Sequence, residues 1–450
     1  MRKVFLFLAV LYNSILLSQT VLTTYPMDLK RIRENDQILN FENNSTHEVF
    51  VFVLSQGNFT ILKYNSALFL TDQFTGPATY FNDRSLMGYS FSEDGNPTLY
   101  WFSEAAKNII IVKYYFENKT SKALKFEYPN TTQAIVTSYQ KDNSFNFLTQ
   151  DKTGPKLILY VFKNGIVEEK VLDFSPFTFI DRKTKPKTFN EILAENPIEK
   201  MEPGEYNPLS ATISKTKMYI LSDRIILTLD QTLQKTQLFD INLSNLEIKE
   251  KDFVQPTTKK AARSSNSYYH ENKLYQINAN EDELLFDIKD LDSQQVLKSI
   301  AVSKNDTILF KNSPLLIQRN NYSPKELKNT AKFLQHLSGL DTGISVFKNK
   351  KNLFITIGGI SKTTNQSFEG FYYPDIETKT VFFESIWDKK LGFTAEKQQS
   401  LAIDKIYLFM DKHKEIALES IMKYKDYSIL GYFDTTAKQY KLLKFTDGYN

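Results

Sequence analysis

The sequence predicts an all-β protein made of repeated four-stranded units, and three observations carry that prediction. First, residues 267–302 read as four short strands in a row, at 267–270, 274–277, 284–288 and 296–302, separated by polar turns. Short strands bounded by polar turns at this spacing mark an all-β chain. Second, similar units recur along most of the 450 residues. One such sheet buries a single face and leaves two open edges, so it needs neighbours. Repetition supplies them. Third, aromatic residues make up 14% of the chain, with 25 Tyr and 35 Phe, which favours strands over helices.

One aromatic residue on the second strand marks each unit: Phe52, Tyr100, Phe147, Tyr219, Tyr275, Phe354 and Tyr407. Most of the spacings lie near the roughly 40–50 residues of a propeller blade, and the two longest each contain a helix signal. The predicted fold is therefore a β-propeller of about seven four-stranded blades (six to eight), with two small helical insertions, over residues 47–450.

Taken in order, Met1-Arg2-Lys3 is a basic start, and residues 4–17 are apolar apart from Asn13 and Ser14. This is the layout of a secretory signal peptide, residues 1–18, with cleavage near Ser18; an uncleaved anchor is the alternative. The stretch is short for a bilayer span, and no later segment approaches that length. Residues 19–46 precede the first unit and hold a candidate ring-closing strand at Ile38-Leu-Asn-Phe41. Asn164-Gly165 reads as a two-residue hairpin turn, because both positions tolerate positive φ. Thr188-Phe-Asn-Glu191 is a capping box before a short helix that ends at Pro197. Ser323-Pro-Lys-Glu326 reads as a second capping box, with Tyr322 and Leu327 as a hydrophobic staple. A helical face of Leu327, Ala331, Leu334 and Leu337 follows, closed by Gly339. Residues 414–425 fit helix or strand equally.

Leu353-Phe-Ile-Thr-Ile-Gly-Gly359 followed by Gly370-Phe-Tyr-Tyr-Pro-Asp375 resembles one kelch repeat, over residues 340–385. That family places two glycines after its second strand and an aromatic-Asp turn after its third. The other units lack the double glycine, and Phe382 or Phe383 stands where the family has Trp. The resemblance implies a propeller; it implies no kelch function.

Chemistry is sparse. The chain has no cysteine, which removes disulfides, thiolate metal sites and cysteine nucleophiles. The net charge of +4 is dispersed, so nucleic acid is not an expected partner. His47, His270, His336 and His413 are far apart and match no metal motif. No Gly-x-Ser-x-Gly elbow, phosphate loop or dinucleotide fingerprint occurs. Ser345-Val-Phe-Lys348 and Ser420-Ile-Met-Lys423 match Ser-x-x-Lys, as chance allows in a Ser- and Lys-rich chain. The carboxylates Glu281, Asp282, Glu283, Asp287, Asp290 and Asp292 could pair for glycosidic chemistry or hold calcium, but turn chemistry explains them. The pairs Tyr114-Tyr115, Tyr268-Tyr269 and Tyr372-Tyr373 alternate between strand faces. Arg263, Tyr268, Tyr269 and His270, on an expected inner strand, form the candidate ligand surface.

The expectation is a secreted, non-catalytic propeller, periplasmic or at the cell surface, that binds a protein or glycan partner at a bacterial envelope, with no cofactor or metal. A chain exported without disulfides suits that compartment. A propeller enzyme acting on polysaccharide and a structural component of an outer-membrane assembly are the alternatives. Converging titratable groups would distinguish the first, and an exposed apolar patch the second.

Overall fold

The computed structural model describes residues 19–448, except 28, 30, 31, 34, 35, 56, 79–83, 321 and 366–374. The signal segment at 1–18, the pair Tyr372-Tyr373 and most of the kelch-like turn lie outside the described residues.

Among the described residues, seven sheets of four or five strands follow one another along the chain. Sheet 1 comprises Gln37–Glu42, Val49–Ser55, Asn58–Tyr64 and Leu70–Pro77; sheet 2 comprises Ser85–Phe91, Pro97–Ser103, Asn108–Tyr115 and Thr120–Phe126. Sheet 3 is Gln133–Lys141, Ser144–Asp151, Lys156–Lys163 and Ile166–Asp173. Sheet 4 is Thr216–Ile220, Arg224–Leu229, Lys235–Asn242 and Ile248–Val254, with Glu199–Met201 added in parallel to its first strand. Sheet 5 is Ser264–His270, Lys273–Ala279, Glu283–Asp290 and Val296–Ser303. These are the blades of a β-propeller, each a run of neighbouring strands taken in chain order.

Sheets 6 and 7 break that order. In sheet 6 the strands Asp341–Lys348, Leu353–Asn365 and Asp375–Trp387 are completed by Leu316–Arg319, which precedes them in sequence. In sheet 7, Ile416–Tyr424, Tyr427–Asp434 and Gln439–Phe445 are completed by the N-terminal strand Gln19–Pro26, paired antiparallel with the last one. The expected closing strand at Ile38-Leu-Asn-Phe41 is instead part of the first strand of sheet 1. Pairing between the two ends of the chain leaves no local trace, so the nearer strand looked equally eligible.

Sheets 2 to 5 grade from buried middle strands to an exposed, charged last strand. In sheet 2, Pro97–Ser103 is buried throughout, whereas Thr120–Phe126, with two lysines, is mostly exposed. Charges on an outer strand discourage unwanted pairing. The chain divides into two compact units. One comprises residues 1–148, 159–169 and 399–450, and the other 149–158 and 170–398. In the first, sheets 1 and 2 share an aromatic core, in which Phe59 lies 5.7 Å from Phe52 and 5.1 Å from Tyr114, ring centre to ring centre. Sheets 7 and 1 meet through Asn40, whose Nδ2 donates to Ser420 O at 2.9 Å and whose Oδ1 accepts from Tyr440 OH at 2.5 Å. Gly431 leaves the space that Asn40 and Tyr440 fill; a Cβ there would overlap both.

Local signals have mixed fates. Asn164 and Gly165 both take positive φ, 51° and 77°, as a two-residue turn requires. The capping box at Thr188 and Glu191 forms and starts helix α1, Phe189–Glu195. The box at Ser323 does not. Lys325–Glu326 pairs with Leu316 and Ile317 as a short strand, and helix Thr330–Leu337 starts later, capped by Asn329, whose side chain accepts from Lys332 N at 3.0 Å. Tyr322 is exposed and makes no staple. Two further helices were not anticipated, Leu209–Thr212 and Ala402–Lys412. The expected marker Tyr407 lies on the second of these, 59% exposed. Tyr219 lies on the first strand of sheet 4's meander, not the second. Residues 414–425 resolve as the strand Ile416–Tyr424.

The double glycine Gly358-Gly359 falls inside the second strand of sheet 6. A Cβ on Gly359 would sit 2.8 Å from Asp341 O, so glycine here permits close strand approach. Among the described residues, no helix is long and apolar enough to cross a membrane.

Candidate functional site

The first strand of sheet 5, Ser264–His270, is buried along its whole length. Strand alternation sends Tyr268 and His270 to one face and Tyr269 to the other. At its end a two-residue turn follows, Glu271 and Asn272, both with positive φ (43° and 59°). Asn accepts that conformation readily; Glu does not, so the turn is held by its surroundings.

What holds Glu271 is Lys348, the last residue of the first strand of sheet 6. Its Nζ donates to both carboxylate oxygens, at 2.7 and 2.6 Å. This pair, Tyr268, Tyr269, His270 and Tyr219 line a recess of about 420 Å³, with Pro203, Gly204 and residues 349–350 at its lip. All belong to the second compact unit. The volume lies within the usual range for small-molecule sites.

The aromatic wall is fixed by hydrogen bonds. Tyr268 OH accepts from Asn207 Nδ2 at 2.8 Å. Tyr219 OH accepts from the Tyr269 backbone N–H at 3.1 Å, and Tyr269 OH accepts from Asn272 N–H at 3.3 Å. The Tyr219 ring stands edge-on to both neighbours, at 5.4 and 5.3 Å. Burial raises the pKa of all three phenols, so they stay protonated.

Two ionisable groups shift in ways that fix their charge. His270 is 8% exposed, and its Nε2 is buried without a hydrogen-bond partner. Burial, reinforced by Lys348 and Lys273 against Glu271, lowers its pKa to about 4, so the ring is neutral at neutral pH. Burial disfavours the charge on Glu271. The Lys348 hydrogen bond, with His270, Lys348 and Lys273 nearby, outweighs it and holds the carboxyl below its ordinary range.

Arg263 does not join this group. It precedes the strand that His270 ends, and seven residues of strand span roughly 23 Å. Its guanidinium donates to Gly339 O at 2.7 Å, and its own carbonyl accepts from Arg182 at 2.5 Å. Behind that end lies a buried polar cluster. Lys217 and Asp230, both fully buried, pair at 3.0 Å. Lys217 also donates to Asn266 Oδ1 at 2.6 Å and Ser214 O at 2.6 Å. Asp230 accepts from Ser267 Oγ at 2.9 Å and Thr236 Oγ1 at 2.7 Å. Asn266 reaches Thr342 O at 2.7 Å, so the cluster ties together the inner strands of sheets 4, 5 and 6.

Other candidates separate. Asp282 is bound by Lys260 and Lys304, Asp292 by Lys251 and Asn272, and Asp290 accepts from Ser293 N–H within its own turn. His47 and His413 each pair with a glutamate, and His336 lies beside Lys379. Among the described residues no three His, Asp or Glu converge as metal ligands. Ser345 and Lys348 are an odd number of residues apart on one strand and point to opposite faces, so they cannot act together.

Sequence reasoning missed Lys348, Glu271 and Tyr219 as neighbours of Tyr268, Tyr269 and His270. Tyr219 carried a signal as a repeat marker, and Lys348 stood in the dismissed Ser-x-x-Lys match.

No family model and no curated protein matches the chain. Among solved structures it resembles the β-propeller domain of the Trilobed protease from Pyrococcus furiosus, at 10% identity and a TM-score of 0.33, over 92% of this chain and 94% of that one. It also resembles the Dos1 propeller, at 12% identity and 0.32, over 95% and 96%. The Vanderwaltozyma polyspora Nup133 β-propeller domain matches at 10% and 0.33, over 95% and 97%. Against a prolyl endopeptidase the match is 8% and 0.35 and covers 89% of this chain, which spans about half (47%) of that one. The fold assignment rests on the sheet order described above.

Proposed function

We propose that this chain is a secreted, non-catalytic binding module that holds a protein or glycan partner at the cell envelope, with the recess at Tyr268, Tyr269, His270, Glu271 and Lys348 as its recognition site. The observation that carries the proposal is the fixed charge state of the walls. A general acid or base works best with a pKa near the operating pH. Here the carboxylate is locked in an ion pair and the imidazole is held neutral, both well below neutrality. Such walls recognise a ligand through rings and fixed hydrogen-bonding groups. Export is supported by the layout of residues 1–18, and an exported chain without cysteine suits a bacterial envelope.

The polysaccharide-enzyme reading retains the observation that two titratable groups with shifted pKa, His270 and Glu271, converge on the recess. Thermal unfolding of the chain from Gln19 onward, scanned against envelope and plant polysaccharides and peptidoglycan fragments, separates the readings. A ligand at about 100 times its dissociation constant stabilises by about 2.7 kcal/mol. The expected result is a reproducible rise of a few degrees with one ligand, reduced in Glu271→Gln and Lys348→Met, with no cleavage product. A cleaved product lost in Glu271→Gln would favour the enzyme. No rise with any glycan, together with no envelope protein retained through these residues, would remove the proposal.

A further inference from the structure

Arg263, which stands apart from the recess, belongs to a group of charges at the opposite end of the same strand. Three cations meet around Ser264, the first residue of Ser264–His270. Lys215 Nζ donates to Ser264 Oγ at 2.8 Å and to Ser265 O at 2.6 Å. Arg182 donates to the Arg263 carbonyl at 2.5 Å, and Arg263 donates to Gly339 O at 2.7 Å. All lie in the second compact unit. Arg182 sits in the turn between the paired strands Phe179–Ile180 and Pro186–Lys187. Asp181 closes that turn by accepting from the backbone N–H groups of Lys183 and Lys185, at 2.8 and 2.9 Å. The three cations therefore come from separate stretches of chain, and the fold fixes each of them.

Among the described residues, the hydrogen bonds of all three end on neutral oxygens, and none of the three forms an ion pair. The carboxylates that act on Lys215 are Asp230 and Asp341. Asp230 is already paired with Lys217 at 3.0 Å. Over the turn and the strand end, Arg182, Lys183, Lys185, Lys215 and Arg263 thus stand against Asp181 and Asp341. Exposed arginines are ordinarily solvated and need no partner. Here two are pinned to carbonyls, each with further N–H groups to offer, beside a half-buried ammonium. Burial pushes the Lys215 pKa down to about 8; Lys217 and Arg182 add to that, while Asp230 and Asp341 oppose it. A bound anion would offset the cost of the charge.

We infer that Arg182, Arg263 and Lys215 form a binding site for a tetrahedral oxyanion, a phosphate or sulfate group, at the Ser264 end of sheet 5. A guanidinium fork matches two oxygens of such a group, and an ammonium adds a point charge to a third. Lys183 and Lys185, exposed in the same turn, raise the local concentration of anions. This site lies a full strand length from the recess at His270 and stands or falls without it.

The test is calorimetric titration of the chain from Gln19 onward with sodium sulfate, whose charge is constant across the pH range used. Sodium chloride holds the ionic strength fixed, so that screening does not change. The expected result is one-site saturation with a dissociation constant of about 1 mM or tighter at neutral pH. Arg182→Gln and Arg263→Gln should each weaken binding at least about tenfold with an unchanged melting temperature, because both side chains are exposed. Raising the pH to about 9.5 should weaken binding to the wild type, as Lys215 loses its proton, and much less to Lys215→Met. Competition by inorganic phosphate and glucose 6-phosphate would support a soluble ligand, and competition by phosphatidic acid vesicles alone a lipid headgroup. No saturation by about 20 mM, equal affinity in wild type and both arginine variants, or equal displacement by chloride would overturn the inference. So would a pH response as strong in Lys215→Met as in the wild type.

Discussion

The interior shared by sheets 1 and 2 and the interior behind the inner strands of sheets 4 to 6 are built from different chemistry. The first is aromatic, with Phe50, Phe52, Phe59, Phe91, Trp101 and Tyr114 in contact. The second contains a charged pair, Lys217 and Asp230, surrounded by Asn266, Ser267 and Thr236. Aromatic packing excludes water and tolerates small shifts. A buried ion pair works only when every partner is in place. The region that must be positioned by direction is the one whose strands end at the recess around His270.

The largest effect that could break this contrast is loss of one charge. Asp230→Ala should cost about 3–5 kcal/mol in denaturant unfolding, because Lys217 would be left buried and unpaired. Lys217→Met with Asp230→Leu should cost clearly less, since it removes both charges. A double variant as unstable as the single one would mean that the surrounding hydrogen bonds, and not the charge, set the cost.

Next comes acidity. Burial lowers the His270 pKa from its usual 6.5 to about 4. Between those values the unfolded chain binds a proton that the folded chain does not. Stability from this residue is therefore complete above about pH 6.5 and falls as pH drops towards 4, by about 3 kcal/mol in all. His270→Gln should flatten that part of the stability–pH curve. An unchanged slope in the variant would place the titration elsewhere.

The smallest expected effect sharpens the comparison from the aromatic side. Phe59→Leu should cost about 1–2 kcal/mol, as neighbouring rings partly close the gap. A larger loss than in Asp230→Ala would reverse the ranking of the two interiors.

These differences also explain what was legible in the sequence. The turn at Asn164-Gly165 and the cap at Thr188 depend on residues a few positions apart, and both formed as written. The false cap at Ser323 obeyed the same local grammar, but pairing of Lys325–Glu326 with Leu316 and Ile317 overrode it. Helix Ala402–Lys412 lacks a Ser, Thr, Asp or Asn at its N-cap, where Leu401 stands, so its signal was confined to the helical spacing of Ala402, Ile406 and Phe409 and to Asp404 and Lys412 at its two ends. At the site, two adjacent tyrosines and a histidine on a strand were visible. Lys348 was not, because the contact that makes it relevant spans 77 residues. Arg263 was grouped with His270 by nearness in sequence, although the strand between them sets the two far apart in space.

The pairing of Gln19–Pro26 with Gln439–Phe445 has a consequence in time. The first partner leaves the ribosome 413 residues ahead of the second. At roughly 5–20 residues per second, that is a wait of about 20–80 s with one strand's hydrogen-bonding groups unmatched. Sheet 7 is thus the last to be completed during synthesis, and its vulnerability to capture by other chains is greatest just before the final strand arrives.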